Sequence, residues 1–332
     1  MFARPAGLLV AALLAGAHPS MARADRPWVF GSIAPEGSVY ADGSEGVARA
    51  LEGEIQGLRI KRRFGGVLGD ELSTVRMVQQ GRIELFTGSL GALVDLVPEL
   101  RVLELPYLFA NETEVDSTIE KMWPQMRKAL AARGYEGVGW SAVGFRHLWT
   151  KRPIGSLDDL RKLRIRSMPT PTYERFWKLA GVSAVAMGVP EVAPLLEQGS
   201  LDGFDQAITF TFASSWHQYV KHLTLTAHIF QPGVAVIGPQ GRSRIPKSAL
   251  PTLTVGVDLI TKESLHRVRE VDRGLLSSLP GVGVAVVPAP AGLVNDLKVH
   301  AGTVRTEWRK TATPAGKKLY DAIQKLLAAA RG

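Results

Sequence analysis

Gly144–Phe176 reads GFRHLWTKRPIGSLDDLRKLRIRSMPTPTYERF. Within it, Leu163–Arg166 has the composition of a short strand, and the Pro-rich residues 168–171 predict a turn before a helix over residues 173–179. Arg166 is therefore predicted at the carboxyl end of a strand in an α/β unit. Open sheets of this kind collect their ligand-binding groups at that edge.

Two arginines in this stretch, Arg146 and Arg166, are flanked by apolar or β-favouring residues instead of surface charges. Arginine is rarely buried without a partner. A guanidinium at a strand end can hold a carboxylate through two parallel charge-assisted hydrogen bonds. Alternatively, each arginine pairs with a structural acid such as Asp202 or Asp205.

The N-terminus has the order of a secretory signal peptide. One early charge, Arg4, precedes an apolar run over residues 7–17, and Ala22-Arg23-Ala24 forms a small-x-small cleavage site before Asp25. The apolar run is too short to span a bilayer. The chain has no cysteine, so it carries neither a lipid-anchoring cysteine nor a disulfide framework.

The charge pattern argues for small anionic ligands. The chain has 40 basic and 31 acidic residues and a net charge of +9, spread without a long basic block, which argues against nucleic acid binding. A diffuse positive field raises the encounter rate with anions.

Residues 25–332 form a chain longer than one hydrophobic core usually supports, so two lobes are expected.

The pattern of elements predicts an α/β fold. A strand over 27–33, a helix from Val47 and a strand over 58–64 give a β-α-β order that favours a parallel sheet. Further strands are predicted at 83–87, 137–143, 200–204, 224–230, 233–237 and 283–287. Further helices are predicted at 71–80, 115–130, 190–199, 216–222, beyond about 262, and at 291–330.

A short internal repeat supports two lobes of similar build. Residues 80–86 read QGRIELF and residues 198–204 read QGSLDGF. In each, a helix is predicted to end at Gln-Gly, and a strand with an early acid and a later Phe begins. The two strand ends would face each other across a cleft.

No motif of nucleophilic, metal or nucleotide chemistry stands out. The sequence lacks HExxH, GxSxG and a P-loop, and Gly137–Ala142 fits GxGxxA only loosely because extended structure, not a helix, should follow. No catalytic residue, metal site or cofactor is therefore expected. A secreted hydrolase or lyase using Glu71 and Asp205 as an acid/base pair is an alternative.

Phe210 belongs to an aromatic run that either lines a pocket or forms a core stripe.

The chain resembles the DctP-type solute-binding proteins of tripartite ATP-independent periplasmic (TRAP) transporters. The resemblance runs from about Phe30 to the end. It is densest in VLGDE with the helix after it, ELPYLF, GFR, LRIR, the segment over 195–206, and the segment over 223–228.

Membership implies a type II periplasmic-binding-protein-like fold. Two α/β lobes, residues 25–143 with 232–271 and residues 144–231 with 272–332, would be joined by hinge strands and braced by a long C-terminal helix. The lobes would close over an organic acid, and the closed form would dock on the small and large membrane permease subunits of a TRAP transporter. The protein would act in the periplasm as a monomer, without nucleic acid. A ligand-sensing subunit for a membrane receptor, or the binding protein of an ATP-driven transporter, are alternatives.

The resemblance also implies the site. Arg166 matches the arginine that pairs with the ligand carboxylate. Arg146 matches a further contact that could take a second carboxylate or a hydroxyl, so the ligand would be a dicarboxylate or a hydroxy acid. The remaining site candidates are Glu71, Thr87, Gly88, Ser89, Val189, Gln206 and the aromatic Phe210.

Three departures from the family pattern prevent transfer of the ligand. Val189 replaces a phenyl ring, Gln206 replaces an asparagine, and Ile33 stands where some sugar-acid binders carry a polar residue.

Overall fold

The computed structural model describes residues 26–332. Within these residues nine strands form one mixed sheet. The strands are β1 (Trp28–Ser32), β2 (Ile60–Arg63), β3 (Leu85–Ser89), β4 (Glu136–Thr150), β5 (Arg164–Ser167), β6 (Ser183–Ala186), β7 (Gly203–Ala207), β8 (His222–Ile237) and β9 (Ala285–Pro288). The predicted signal peptide lies outside the described residues.

Helices cover the sheet. They are α1 (Val39–Glu54), α2 (Glu71–Gln79), α3 (Glu112–Ala131), α4 (Leu157–Arg161), α5 (Pro171–Ala180), α6 (Val192–Glu197), α7 (Ile208–Ala213), α8 (Pro239–Arg242), α9 (Leu250–Ser278), α10 (Ala291–Thr311) and α11 (Pro314–Arg331). Short 3-10 turns occupy Leu90–Leu93, Pro98–Glu104, Val189–Glu191, Trp216–Tyr219 and Leu279–Val282.

The sheet consists of two parallel groups joined by two long antiparallel strands. The strand order is β2-β1-β3-β8-β4-β7-β5-β6, with β9 beside β8. β1, β2 and β3 run parallel to one another, as do β5, β6 and β7. β8 and β4 pair with each other between the groups, and each also borders one group. This arrangement gives the two-lobed α/β architecture that the sequence predicted.

The connecting strands are longer than predicted. The sequence pattern ended a strand at Val143 and separated two others before Gly233, but β4 continues through Gly144 and β8 through Pro232. The register of the pair shifts between Ala142 and Gly144. Gly144 has a φ of 126°, which a glycine adopts without strain. A bulge at this point accommodates Gly144 in β4 and Pro232 in β8, although glycine and proline are unfavourable inside central strands.

The internal repeat corresponds to equivalent structures in the two parallel groups. Gly81 and Gly199 end their helices with φ values of 67° and 76°. The strands that follow, β3 and β7, begin a few residues later than predicted. β3 pairs antiparallel with β8, and β7 pairs antiparallel with β4, so the repeated units meet the two long strands in the same way.

The acid of each repeat has the same structural role. The Glu84 Oε2 atom accepts a hydrogen bond from the Val29 N–H at 2.8 Å, and the Asp202 Oδ2 atom accepts one from the Arg164 N–H at 2.9 Å. In both units the acid therefore satisfies a backbone donor near the start of the adjacent parallel strand. The repeated sequence records a shared strand-start geometry.

One predicted helix is wrong. Residues 216–222 were expected to be helical, but only Trp216–Tyr219 form a short 3-10 turn. Ser215 before it is left-handed, with a φ of 59°, and Val220 after it is extended. The apolar spacing came from packing of single side chains against the core and not from a helical face.

The 29-residue helix α9 braces both halves of the molecule. It lies against α1, where Gly43 and Gly46 allow a close approach: a Cβ atom at Gly43 would lie 2.6 Å from the Ser264 Oγ atom. Farther along, the Asp272 carboxylate of α9 accepts hydrogen bonds from the Thr209 N–H and Oγ–H at 2.8 and 2.6 Å. Asp272 thereby holds the start of α7.

The last two helices connect different parts of the fold. In α10, Glu307 forms a two-pronged ion pair with Arg175 of α5, at 2.7 and 2.6 Å. In α11, Arg331 forms a similar pair with Glu114 of α3, with both contacts at 2.7 Å. The C-terminal helices thus tie a helix of one parallel group to a helix near the other.

Asp272 makes stability depend on pH. Burial raises its pKa from 3.8 to about 6, although the Thr209 hydrogen bonds oppose the shift. Because the pKa of Asp272 is higher in the folded than in the unfolded state, Asp272 contributes most to stability below about pH 4. This contribution is lost as pH rises through about 6. The variant Asp272→Asn keeps an acceptor for Thr209 but cannot ionise. We expect urea unfolding to show it more stable than the parent by up to about 3 kcal/mol above pH 6.5.

The difference between Asp272→Asn and the parent should shrink towards zero at pH 4. Asp158→Asn, at a side chain that is 77% exposed, is the matched control and should follow the parent at every pH. A constant difference between Asp272→Asn and the parent across the whole pH range would contradict the prediction.

Candidate functional site

The candidate site is a cleft at the ends of β3, β5 and β7, with two adjoining chambers. The arginine chamber encloses about 450 Å³ of empty space, partly open to solvent. Its walls include Glu71, Ser89, Arg146, Arg166, Val189, Gln206, Phe210 and Gln231. The second chamber contains about 580 Å³ of empty space, also partly open to solvent, and extends toward α1 and α9. Ile33, Glu71, Ser89, Val143 and Phe210 line both chambers.

The structure brings seven of the eight main site candidates into the arginine chamber. Gly88, the eighth, lines the second chamber together with Thr87. These residues come from segments that are far apart in sequence. Their convergence leaves the individual roles as predictions, but the geometry separates the two arginines sharply.

Arg166 lies in β5 with only 2% of its surface exposed. Its Nε and Nη2 groups donate to the Met187 carbonyl oxygen at 3.1 and 2.8 Å, and its guanidinium lies 5.5 Å from the Trp216 ring centroid. Among the described residues its Nη1 group has no partner. Burial, followed by repulsion from Arg146, lowers the pKa of Arg166 to about 10, so the group is a cation at neutral pH. No carboxylate from residues 26–332 forms an ion pair with it.

Arg146 lies in β4, is completely buried and has a full set of acceptors for its two terminal nitrogens. The Nη1 group donates to the side-chain oxygens of Gln206 and Gln231 at 2.8 and 2.7 Å. The Nη2 group donates to the Asp205 Oδ1 atom at 2.6 Å and to the Asp205 carbonyl oxygen. The pairing with a structural acid, which the sequence left open for both arginines, therefore applies to Arg146 with Asp205.

Asp205 connects Arg146 to three further side chains. Its Oδ2 atom accepts hydrogen bonds from Ser167, Trp177 and His228 at 3.0, 3.2 and 3.3 Å. Burial alone would raise the pKa of Asp205, but the attraction of Arg146 and the interactions with His228 and Arg146 together outweigh it and hold the pKa well below the usual range. Asp205 is fully buried, so it cannot serve as the exposed acid of the hydrolase alternative.

Gln206 is placed by Arg146 but is not used up by it. Its Oε1 atom accepts hydrogen bonds from Arg146 and from the Ala207 N–H, each at 2.8 Å. Both bonds go to the oxygen, which orients the amide and leaves its nitrogen for a ligand. The longer amide that distinguishes this chain from the family pattern is therefore held rigidly.

Glu71 is the first residue of α2 and is fixed by Ser89. Its Oε1 atom accepts from the Ser89 N–H at 2.6 Å, and its Oε2 atom accepts from the Ser89 Oγ–H at 2.5 Å. A Cβ atom at Gly88 would lie 2.5 Å from Oε1, so this contact requires glycine. Burial raises the pKa of Glu71, and the Ser89 bonds and the attraction of Arg166 oppose the shift.

Phe210 and Val189 supply apolar walls. The Phe210 ring lies between Tyr40 and Trp216, with ring centroids 6.0 and 5.8 Å apart. Trp216 in turn lies beneath the Arg166 guanidinium. Phe210 thus belongs to an aromatic wall that supports the arginine chamber and also contributes to the core. Both interpretations of the aromatic run are correct for this residue.

Several site residues were missed from the sequence. Gln231 orients Arg146, and Tyr40 of α1 donates its hydroxyl to the Val143 carbonyl at 2.8 Å, which connects α1 to the long strand β4. Ser44, which was also missed, shares a hydrogen bond between hydroxyls with the predicted candidate Thr87 at 2.7 Å. Isolated polar residues of this kind carry no periodic or motif signal. Their role arises only from contacts over long sequence separations.

Two other features of the described residues concern metal binding and membrane crossing. Within residues 26–332 no cluster of three or more potential metal-binding side chains occurs. Over the same range no helix combines the length and apolar character that crossing a membrane requires.

Comparison with known proteins identifies the family. The sequence model of the DctP family, described as bacterial extracellular solute-binding protein, family 7, matches residues 30–294. The chain belongs to this family. A DctP relative from Verminephrobacter eiseniae, named solute-binding protein, is 26% identical over 231 residues, which is 69% of each chain. Membership of this family indicates a solute receptor and not an enzyme.

Solved structures share the DctP architecture. A TRAP periplasmic solute-binding protein from Polaromonas, bound to D-erythronate, superposes with a TM-score of 0.82 and 25% identity, over 90% of this chain and 97% of that one. An extracytoplasmic solute receptor from Bordetella pertussis that binds pyroglutamic acid gives a TM-score of 0.84 at 21% identity, over 90% and 99% of the two chains. The chain therefore has the fold of TRAP solute-binding proteins, as the sequence resemblance implied.

The ion pair between Arg146 and Asp205 should be a major determinant of stability. Asp205→Asn leaves the Arg146 cation buried without an anionic partner, a loss that typically costs about 3 to 5 kcal/mol. We expect chemical denaturation at pH 7 to show a decrease in the free energy of unfolding of this size.

Asp202→Asn provides the matched control for Asp205→Asn. Asp202 is one-third exposed and lies 3.5 Å from Arg152, and surface pairs of this kind contribute at most about 1 kcal/mol. Equal effects of the two substitutions would show that the Arg146–Asp205 pair is not a special determinant.

Proposed function

We propose that this protein captures the carboxylate of a small organic acid with Arg166. The observation that carries the proposal is a buried cation without a carboxylate partner among the described residues. An uncompensated buried charge is costly, and a bound carboxylate would neutralise it while accepting a hydrogen bond from the Nη1 group. Arg146, by contrast, acts as the fixed support that positions Gln206.

Relatives support an acidic ligand. Besides the structures bound to D-erythronate and pyroglutamic acid, a relative from Escherichia coli is named a 2,3-diketo-L-gulonate-binding periplasmic protein. All three compounds carry a carboxyl group. The chemistry of these ligands agrees with a single arginine poised in the cleft.

We also propose that the cleft closes by bending of β4 and β8. The predicted lobe boundaries, between residues 143 and 144 and between residues 231 and 232, coincide with one of the three register shifts in this strand pair, the one between Ala142 and Gly144. The ligand would be buried as the lobes approach, in the manner of hinge closure around a bound molecule. The closed form would then deliver the ligand to the small and large membrane subunits of a TRAP transporter.

The place of action follows from the same family. The protein would work in the periplasm as a monomer after cleavage behind Ala24. N-terminal sequencing of the exported protein should then find Asp25 as its first residue.

Binding should depend on Arg166. A thermal-shift screen of carboxylates, sugar acids and amino acids would find the ligand, because a ligand at 100 times its Kd stabilises a one-site receptor by about 2.7 kcal/mol. Calorimetry should then show that Arg166→Ala weakens binding by about 30-fold or more, the loss expected when one partner of a buried charge pair is removed. Arg166→Lys should fall between the parent and Arg166→Ala, since it keeps the charge but loses the planar fork.

Arg164→Ala is the matched control, since Arg164 lies in the same strand but is exposed. It should bind like the parent. Circular dichroism and unfolding curves should show that all three variants fold, because the hydrogen bonds of Arg166 to protein go to one carbonyl. Parent-like affinity of Arg166→Ala would contradict the proposal.

A further inference from the structure

We infer that the cleft selects monocarboxylates with an uncharged tail and that Glu71 excludes dicarboxylates. This inference rests on the proposed function and narrows the class of ligand. It also decides between the two roles that the sequence left open for Arg146, a second carboxylate contact or a hydroxyl contact.

The number of cations available in the site limits how many carboxylates a ligand can carry. The described walls of the arginine chamber contain two, Arg146 and Arg166. The charge of Arg146 is balanced by Asp205 at 2.6 Å, and both of its terminal nitrogens donate to protein oxygens. Arg166 donates only to the neutral Met187 carbonyl. One cation therefore remains for a ligand, and it can neutralise one carboxylate.

The wall opposite Arg166 determines how the site would receive a second carboxylate. The ionisable residues there are Asp70 and Glu71, both acidic. Ser89 holds both oxygens of Glu71 through its N–H and its hydroxyl, which fixes the position of the carboxyl group. A second ligand carboxylate near Arg166 would thus meet a fixed acid instead of a cation. Like charges at short range in a partly buried site repel strongly.

The second chamber would receive the rest of the ligand. Among its described wall residues Glu71 is the one with a charge, and no lysine or arginine occurs there. Three of its hydroxyls are engaged with protein oxygens: Tyr40 with the Val143 carbonyl, and Ser44 with Thr87. The other walls are largely apolar, with Ile33 and Phe210 at the junction of the chambers. A carboxylate placed here would meet hydroxyl groups but no cation to balance its charge.

Uncharged hydroxyl groups, by contrast, would be accepted near the junction. Each Glu71 oxygen accepts one bond from Ser89 and retains further acceptor capacity. The Gln206 nitrogen supplies a donor on the other side. The same acid that repels a second carboxylate can therefore accept hydrogen bonds from ligand hydroxyls.

Calorimetry with matched acids tests the inference. The probes are pairs of equal chain length that differ in one terminal carboxylate: butyrate and succinate, 2-hydroxybutyrate and malate, and gluconate and glucarate. We expect the monocarboxylate of each binding pair to bind the parent protein at least tenfold more tightly at pH 7. Glu71→Gln should reduce this preference at least tenfold, mainly by tightening the dicarboxylate.

Glu104→Gln is the matched control. Glu104 is buried outside the two chambers, and burial raises its pKa to about 8, so it is mostly uncharged at pH 7. Its replacement should leave the preference within threefold of the parent, which separates loss of the Glu71 charge from a general effect of removing a carboxyl group.

The outcomes distinguish the inference from the proposed function. Binding that requires Arg166 but shows no monocarboxylate preference, or a preference unchanged in Glu71→Gln, would overturn the inference alone. Failure of every acid to bind, or binding indifferent to Arg166→Ala, would overturn the proposed function and the inference together. A monocarboxylate preference that is lost in Glu71→Gln and kept in Glu104→Gln would establish the role of Glu71.

Discussion

The fully buried ion pair between Arg146 and Asp205 is the interaction on which the site depends. Through it, β4 is joined to β7, and its hydrogen-bonded neighbours Gln231, Ser167 and His228 bring in β8 and β5. Because the pair is internally compensated, it contributes a rigid floor without a net charge. The field that a ligand encounters in the arginine chamber therefore comes mainly from Arg166 and the acids opposite it.

Neutral partners preserve this balance. Burial lowers the pKa of His228, so it donates to Asp205 as an uncharged imidazole while its other nitrogen meets the Thr226 hydroxyl at 2.8 Å. Burial likewise raises the pKa of Glu104 to about 8, against the attraction of Arg146. Both groups can therefore lie near the ion pair at neutral pH without adding charge to the interior.

The two long strands and α9 connect the floor of the site to the other parallel group. The floor is built within β4, β5, β7 and β8, whereas Glu71 and Ser89 stand on α2 and β3 of the other parallel group. α9 contacts both groups through α1 and α7, and the register shift near Gly144 is the local irregularity at which we propose that the strands bend. The proposed carboxylate clamp, Arg166, and the acidic wall thus stand on different parallel groups, which the proposed closure would bring together.

The sequence by itself determined the fold class, the family and the position of Arg166 at a strand end, because strand periodicity, helix-ending glycines and contiguous motifs are local signals. It also revealed the repeated strand-start unit through Glu84 and Asp202. It did not reveal that β4 and β8 are continuous, because Gly144 and Pro232 end strands unless a bulge accommodates them. Only the tertiary structure decided that Arg146 pairs with Asp205 while Arg166 lacks an acidic partner. The two arginines have similar sequence surroundings, and their difference lies in contacts made across some 60 residues of chain, which no local pattern encodes.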